Sequence, residues 1–405
     1  MSDLSSEGVK KMATSGLEEL VTHRSLQDKI KGNVAYLCHS ASIDRHFTLG
    51  VYHLQKIFGP RLVKIFGPQH GFVTDVQDNM IETQDFIHPY FKIPILSLYG
   101  KTRIPTPEML KGVDTLVIDL QDVGTRVYTY INTMTLAMEA CGKQGIKVVV
   151  LDRPNPVGGN IIEGNLLEKD FTSFVGRHPI PQRHALTMGE MAIFAKKFQG
   201  SDCELEVVMM KDWTRKMFFK DTGLPWVLPS PNLPTMEGAL TFVGTVLFEG
   251  TNISEGRGTT RSLEIVGHPK IEAFGFYEKF QKIIKENELR GFELRPLMFM
   301  PTFQKHAGKA CGGFQIHPTH YEEFRPWTLC QLLCQFFYHE LGTDFAWKTD
   351  PYEYEFNKLA IDLINGTDEV RYWVEQKEDL NALHQVENLN RECYLSKRSD
   401  CLIYN

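Results

Sequence analysis

The sequence predicts an α/β fold with a largely parallel sheet covered on both faces by helices. Two observations carry that. Short apolar runs, Val34–Cys38, Leu62–Phe66, Ile93–Tyr99, Thr115–Asp119 and Lys147–Leu151, recur between stretches of helical spacing. Polar clusters stand directly after several of these runs, where open α/β sheets bind ligands.

The elements follow in order. Residues 1–25 read as a polar lead-in with a short helix, Gly16–Thr22, and 26–266 as the α/β domain. Leu49–Ile57 has helical spacing, Thr133–Cys141 is a helix ended near Gly142, and Thr187–Phe198 is a helix with Thr187 as N-cap and Glu190 as its capping-box acid. Glu204–Met210 is a further strand. Beyond a boundary near Gly267 lies a second part, 267–405, with helices Ile271–Asn287 and Trp327–Leu341. These flank an aromatic, Gly- and Pro-rich stretch, and a charged helical tail runs from Tyr352. There is no GxGxxG after the first strand and no GxxxxGK[ST], which removes dinucleotide and P-loop readings.

Composition narrows the function classes. The chain has 405 residues, net charge −6 and no offsetting Lys/Arg cluster, which argues against nucleic-acid binding. No run of about 18 apolar residues is present, so nothing is expected to span a membrane. Eight cysteines without CxxC spacing read as buried, reduced thiols, and no metal site is expected. Met1–Val21 lacks an apolar segment of the secretory type, so the expected location is the cytoplasm.

The densest chemistry lies in Phe248–Thr260, with Glu249, Glu255, Arg257, Asn252, several hydroxyls and three glycines. So many polar groups would need too many buried partners to be core, and the glycines disfavour a helix. It reads as a polar active-site loop, with a solvated loop as the plain alternative. Glu249 and Glu255 suit the carboxylate pair of a glycosidase, and Arg257 suits bidentate recognition of a carboxylate.

Other candidates stand at strand ends. Gln69-His70 lies between glycines, and His70 is either an acid/base or a turn histidine. Asp119, Asp122 and Arg126 form either a site network or a structural pair; Arg126 with Tyr128 and Tyr130 suits an anion or a sugar ring. Asp152-Arg153-Pro-Asn-Pro reads foremost as a rigid turn. Glu163, after Ile161-Ile162, is either a partly buried general acid with a raised pKa or an ordinary strand-end glutamate. Asn232, in the stiff Pro229–Pro234 loop, can face a ligand or serve a connector.

With these motifs assembled, Phe66–Gly71, Asp119–Arg126, Leu151–Pro156, Gly223–Trp226, Pro229–Asn232 and Phe248–Thr260, the chain resembles the DUF1343 family, whose characterised members are NamZ-type exo-β-N-acetylmuramidases. The resemblance spans roughly 32–366 and implies a Rossmann-like N-terminal part, a smaller C-terminal α/β part and a cleft between them. It implies hydrolysis releasing N-acetylmuramic acid from the non-reducing end of peptidoglycan fragments, a small muropeptide or amino-sugar substrate, and no cofactor. On that footing Glu163 or Glu255 is the expected acid/base. His70 and Asp122 would surround the reacting sugar, and Arg126 and Arg257 would hold its lactyl carboxylate. Gln69, Tyr130, Asn232, Glu249 and Asn252 complete the expected contacts. Many family members carry glutamate where this chain has Gln69. The alternative is therefore a muramyl-sugar-binding protein with altered catalysis.

Overall fold

The computed structural model describes residues 11–77 and 81–405, so the first ten residues of the expected lead-in lie outside the described residues. The central sheet uses β1 (Val34–Cys38), β2 (Leu62–Gly67), β3 (Phe86–Ile87), β4 (Pro94–Ser97), β5 (Thr115–Asp119) and β6 (Lys147–Leu151). After a small antiparallel pair, β7 (Glu163–Leu166) and β8 (Pro181–Arg183), β9 (Leu205–Val208) completes it. The order is β3-β4-β2-β1-β5-β6-β9, parallel except for β3 against β4.

β1 and β5 are buried at every position, because helices cover both faces of the sheet. Alternation sorts their side chains. Ala35, Leu37, Ile118, Val148 and Val150 pack with helices Tyr130–Lys143 and Met188–Phe198. Tyr36, Val117, Val149 and Leu151 point the other way, toward helices Gly16–Thr22 and Gly50–Phe58. Thr187 and Glu190 form the expected capping box on Met188–Phe198.

The C-terminal part has its own antiparallel sheet, ordered β10-β12-β11, from β10 (Ile265–His268), β11 (Phe292–Phe299) and β12 (Cys311–Pro318). The hairpin occupies the aromatic, glycine-rich stretch that carries no helical or strand signal by period. Pro296 is tolerated because β11 is an edge strand. At Gly313 an added Cβ would come within 2.0 Å of the Val266 carbonyl, so only glycine permits this strand approach. Helix Met236–Thr245 packs on Pro326–Leu341, and the hydrophobic core runs on from the large sheet through Phe280, Phe314 and Phe337. The tail from Tyr352 departs from the expected helix. Residues 352–355 close a tight turn through two backbone bonds of 3.1 and 3.0 Å, and helix begins only at Ala360. Among the described residues no helix is long and apolar enough to cross a membrane.

Candidate active site

The 248–261 segment leaves helix Met236–Thr245 through a 3-10 turn, Val246–Gly250, and folds against the smaller sheet. Gly250 lies against Ile361, where a Cβ would meet the Ile361 nitrogen at 2.6 Å. Gly256 and Gly258, at φ of +77° and +81°, turn the chain so that Glu255 and Arg257 face inward.

An open cavity of about 520 Å³ is lined by this segment and by the 304–305 and 346–352 loops. Its charged wall is continuous. Arg257 lies 2.7 Å from Glu249 and 2.9 Å from Glu255, and Lys305 lies 2.8 Å from Glu255. Lys305 also donates to the Phe248 and Ile253 carbonyls, and Tyr352 donates its hydroxyl to Glu249 at 2.7 Å. Burial pushes the Glu255 carboxyl up, but Lys305 and Arg257 overcome it and hold the group down at about 2. Glu255 is therefore an anion at neutral pH. Arg257 keeps its Nε buried without a partner, while the side chain as a whole lines both this cavity and the one behind it. Asn252 lines the same cavity while bracing the 344–346 loop through Asp344 O and Ala346 N.

Behind that wall is a narrow cavity of about 40 Å³, where the two parts of the chain meet. It shares Glu249, Arg257 and Tyr352 with the larger one and adds Gln69, His70, Tyr130 and Glu353. His70, at φ +67°, is bonded from Nδ1 to the Val76 carbonyl at 2.7 Å; burial pulls its pKa down to about 4, so the ring is neutral. Gln69 accepts from Thr129 at 2.6 Å and directs its Nε2 at Glu353, 3.4 Å away. Tyr130 donates to the Pro229 carbonyl at 2.7 Å. Glu353 also accepts from Tyr99 at 2.8 Å. Burial lifts its carboxyl to about 7, opposed by the Tyr99 hydrogen bond and assisted by Glu249.

The structure thus brings Gln69, His70, Tyr130, Glu249, Asn252, Glu255 and Arg257 to adjoining cavities. It places the other expected site residues elsewhere, each for a physical reason. Glu163 is fully buried at β7, 2.6 Å from Arg183 and accepting the Trp327 amide at 3.2 Å. Burial does push its carboxyl up, with Arg183 opposing, but the group lines neither cavity. Arg126 donates to four main-chain carbonyls, of Asn165, Ile180, Ile364 and Asn365, and has its charge absorbed there rather than facing a lactyl group. Asp122 accepts the Gly124 amide at 2.7 Å and lies 3.5 Å from His184, away from both cavities. Asn232 donates to the Gln77 carbonyl at 2.7 Å, although its neighbour Ser230 lines the narrow cavity.

Sequence reasoning missed Lys305, Trp347, Tyr352 and Glu353. For the last two the local sequence misdirects, because Asp350-Pro351-Tyr-Glu has the residues of a good helix start, yet 352–355 form the tight turn; Glu353 and Tyr354 hold φ of +46° and +67°.

Carboxylates and a guanidinium facing a sugar-sized cavity on an α/β scaffold are the equipment of a glycoside hydrolase. Comparison with known proteins gives the family. The model for the exo-β-N-acetylmuramidase NamZ N-terminal domain matches residues 34–237, and that for its C-terminal domain matches 240–404. The chain belongs to the NamZ family. It is 44% identical over 315 residues to the peptidoglycan β-N-acetylmuramidase NamZ of Bacillus subtilis strain 168, covering 78% of this chain and 75% of that one. Two crystal structures of DUF1343 family proteins from Bacteroides fragilis NCTC 9343 superpose along nearly the full length. One has a TM-score of 0.84 at 28% identity and covers 97% of this chain and 99% of that one. The other has a TM-score of 0.74 at 26% identity and covers 98% and 99%.

Proposed function

We propose that this protein hydrolyses the β-glycosidic bond of N-acetylmuramic acid at the non-reducing end of peptidoglycan-derived fragments. The observation that carries the reading is the Glu249–Arg257–Glu255–Lys305 wall on an open cavity of about 520 Å³, in a chain of the NamZ family. That volume suits one or two sugar units. Arg257, whose guanidinium lines the cavity, is the group assigned to the lactyl carboxylate of the muramic acid. Lys305 has its contacts with Phe248, Ile253 and Glu255 and serves to hold Glu255. Trp347 and Tyr352 supply aromatic walls for the ring.

The test is release of 4-nitrophenol from its β-N-acetylmuraminide and of free N-acetylmuramic acid from the N-acetylmuramyl-β-1,4-N-acetylglucosamine disaccharide. Turnover of both is expected, and Arg257→Met is expected to lose at least about tenfold in kcat/KM, a loss of one charge-assisted contact. The alternative, a muramyl-sugar-binding protein without turnover, is favoured by the amide at Gln69. It predicts calorimetric binding of N-acetylmuramic acid with no release from either glycoside.

A further inference from the structure

Adjoining the narrow cavity is a third space, an open groove of about 430 Å³ lined by Arg103, Phe174, Arg177 and Tyr354 among others. Glu353 is the residue that the groove and the narrow cavity have in common. The three spaces adjoin through shared residues: a large cavity, a waist with room for little more than a water molecule, and a second groove. Glu249, Arg257 and Tyr352 line the waist where it adjoins the large cavity, and Glu353 lines it where it adjoins the groove.

We propose that the bond to be cleaved lies across this waist, with the muramyl sugar in the large cavity and the leaving sugar in the Arg103/Arg177 groove, and that the Glu353 carboxyl protonates the leaving oxygen. This rests on the muramidase reading above. The C1–O bond breaks with its electron pair passing to the oxygen, which takes the Glu353 proton and departs as a hydroxyl. Water supplies the hydroxyl at C1, and its remaining proton restores the carboxyl.

Further facts support the assignment. Glu255 cannot donate a proton near neutrality, because Lys305 and Arg257 hold it at about 2 against its burial. Glu249 is engaged by Arg257 and by the Tyr352 hydroxyl. Glu353 instead meets the opposite field. Burial is the largest influence and lifts it; Glu249 across the waist lifts it further, while the Tyr99 and Gln69 hydrogen bonds and Arg103 pull it down, leaving it at about 7. The other titratable groups at the waist are His70, neutral above about pH 4, the Arg257 cation, and Tyr128, Tyr130 and Tyr352, which burial raises and keeps neutral. Gln69 on one oxygen and Tyr99 on the other fix the carboxyl's orientation. Arg103, stacked over Tyr354 at 4.2 Å, gives the groove a cationic and aromatic lining against which the ring and hydroxyls of a neutral leaving sugar can pack.

The test compares E353Q with wild type on two substrates that differ in their need for a proton. The N-acetylmuramyl-β-1,4-N-acetylglucosamine disaccharide has a poor leaving group, and the 4-nitrophenyl glycoside a good one. E353Q is expected to lose about 10²–10⁴-fold in kcat/KM on the disaccharide and less than about tenfold on the nitrophenyl glycoside. Equal losses on the two substrates in a variant that melts cooperatively, or an undiminished rate on the disaccharide, overturn the assignment. Should E353Q not melt cooperatively, wild type carries the test. Its disaccharide kcat/KM must fall above about pH 7 more steeply than its nitrophenyl kcat/KM, and parallel profiles overturn the proposal. Wild type silent on both substrates removes the muramidase reading, and this assignment with it.

Discussion

Two regions of this protein are equally rich in charge and do opposite things with it. At the end of a central strand Asp119 meets Arg153, and around the small β7–β8 pair Glu163 meets Arg183 and Arg126 meets four carbonyls, all buried. Around 248–261, Glu249, Glu255, Arg257 and Lys305 also pair, but along the wall of an open cavity. The residue types are the same. What separates a brace from a site is whether the partner atoms surround the charge or leave one side of it to a ligand. Sequence motifs record the presence of a charge and say little about that enclosure.

The comparison breaks most visibly at Arg126. Arg126→Met removes four charge-assisted hydrogen bonds and strands four carbonyls between β7, β8 and the Ala360–Asn365 helix. A loss of about 4–5 kcal/mol in urea unfolding is expected. Below saturation of that loss, the folded fraction should release N-acetylmuramic acid at nearly the wild-type rate. A loss under about 1 kcal/mol, or a large kcat defect in folded protein, would return Arg126 to the site.

Glu255 and Glu353 sharpen it, because their pH signatures have opposite signs. Glu255 is depressed from 4.5 to about 2, so its stabilisation is complete above about pH 4.5 and is lost as pH falls through about 2. Glu255→Gln leaves Lys305 and Arg257 short of an anion and is expected to cost about 3–4 kcal/mol at pH 7, shrinking toward pH 3. Glu353 is raised from 4.5 to about 7, so its contribution is complete below about pH 4.5 and is lost as pH rises through about 7. E353Q should therefore gain on wild type by about 3 kcal/mol between pH 4 and pH 8, at 1.36 kcal/mol per unit. Paired denaturation curves from pH 3 to pH 8 check both; a flat difference for E353Q means the carboxyl is not lifted.

The large sheet was legible because burial on both faces leaves runs such as Thr115–Asp119 apolar throughout, a pattern local to five residues. The 292–318 hairpin was not, since glycines that admit strand contact and a proline allowed only on an edge read locally as turn. In the site, Phe248–Thr260 stood out because its polar groups are consecutive. Lys305 and Glu353 reach the same cavities from about 50 and 100 residues further on, and only the fold makes them neighbours of Glu255 and Glu249. Glu163 misled for the reverse reason. Its apolar approach foretold burial correctly, and Arg183, twenty residues on, answered the charge.

Gln69 offers the finest test, the exchange of an amide for a carboxyl of nearly the same shape. Its Nε2 lies 3.4 Å from Glu353, so Gln69→Glu would set two carboxyls face to face at the waist. Two such groups cannot both ionise freely and titrate as a pair, one step moving down and the other up. The upper step should rise from about 7 by about one unit, equivalent to about 1.4 kcal/mol. If Glu353 delivers the proton, the basic limb of the disaccharide kcat/KM profile moves upward with it, and the nitrophenyl glycoside shows a smaller shift. A limb that stays in place would mean that the amide and Glu353 are not coupled. A limb that moves down would mean that the cations of the neighbouring wall, Arg257 above all, govern the waist after all, and the boundary between the two regions would have to be redrawn there.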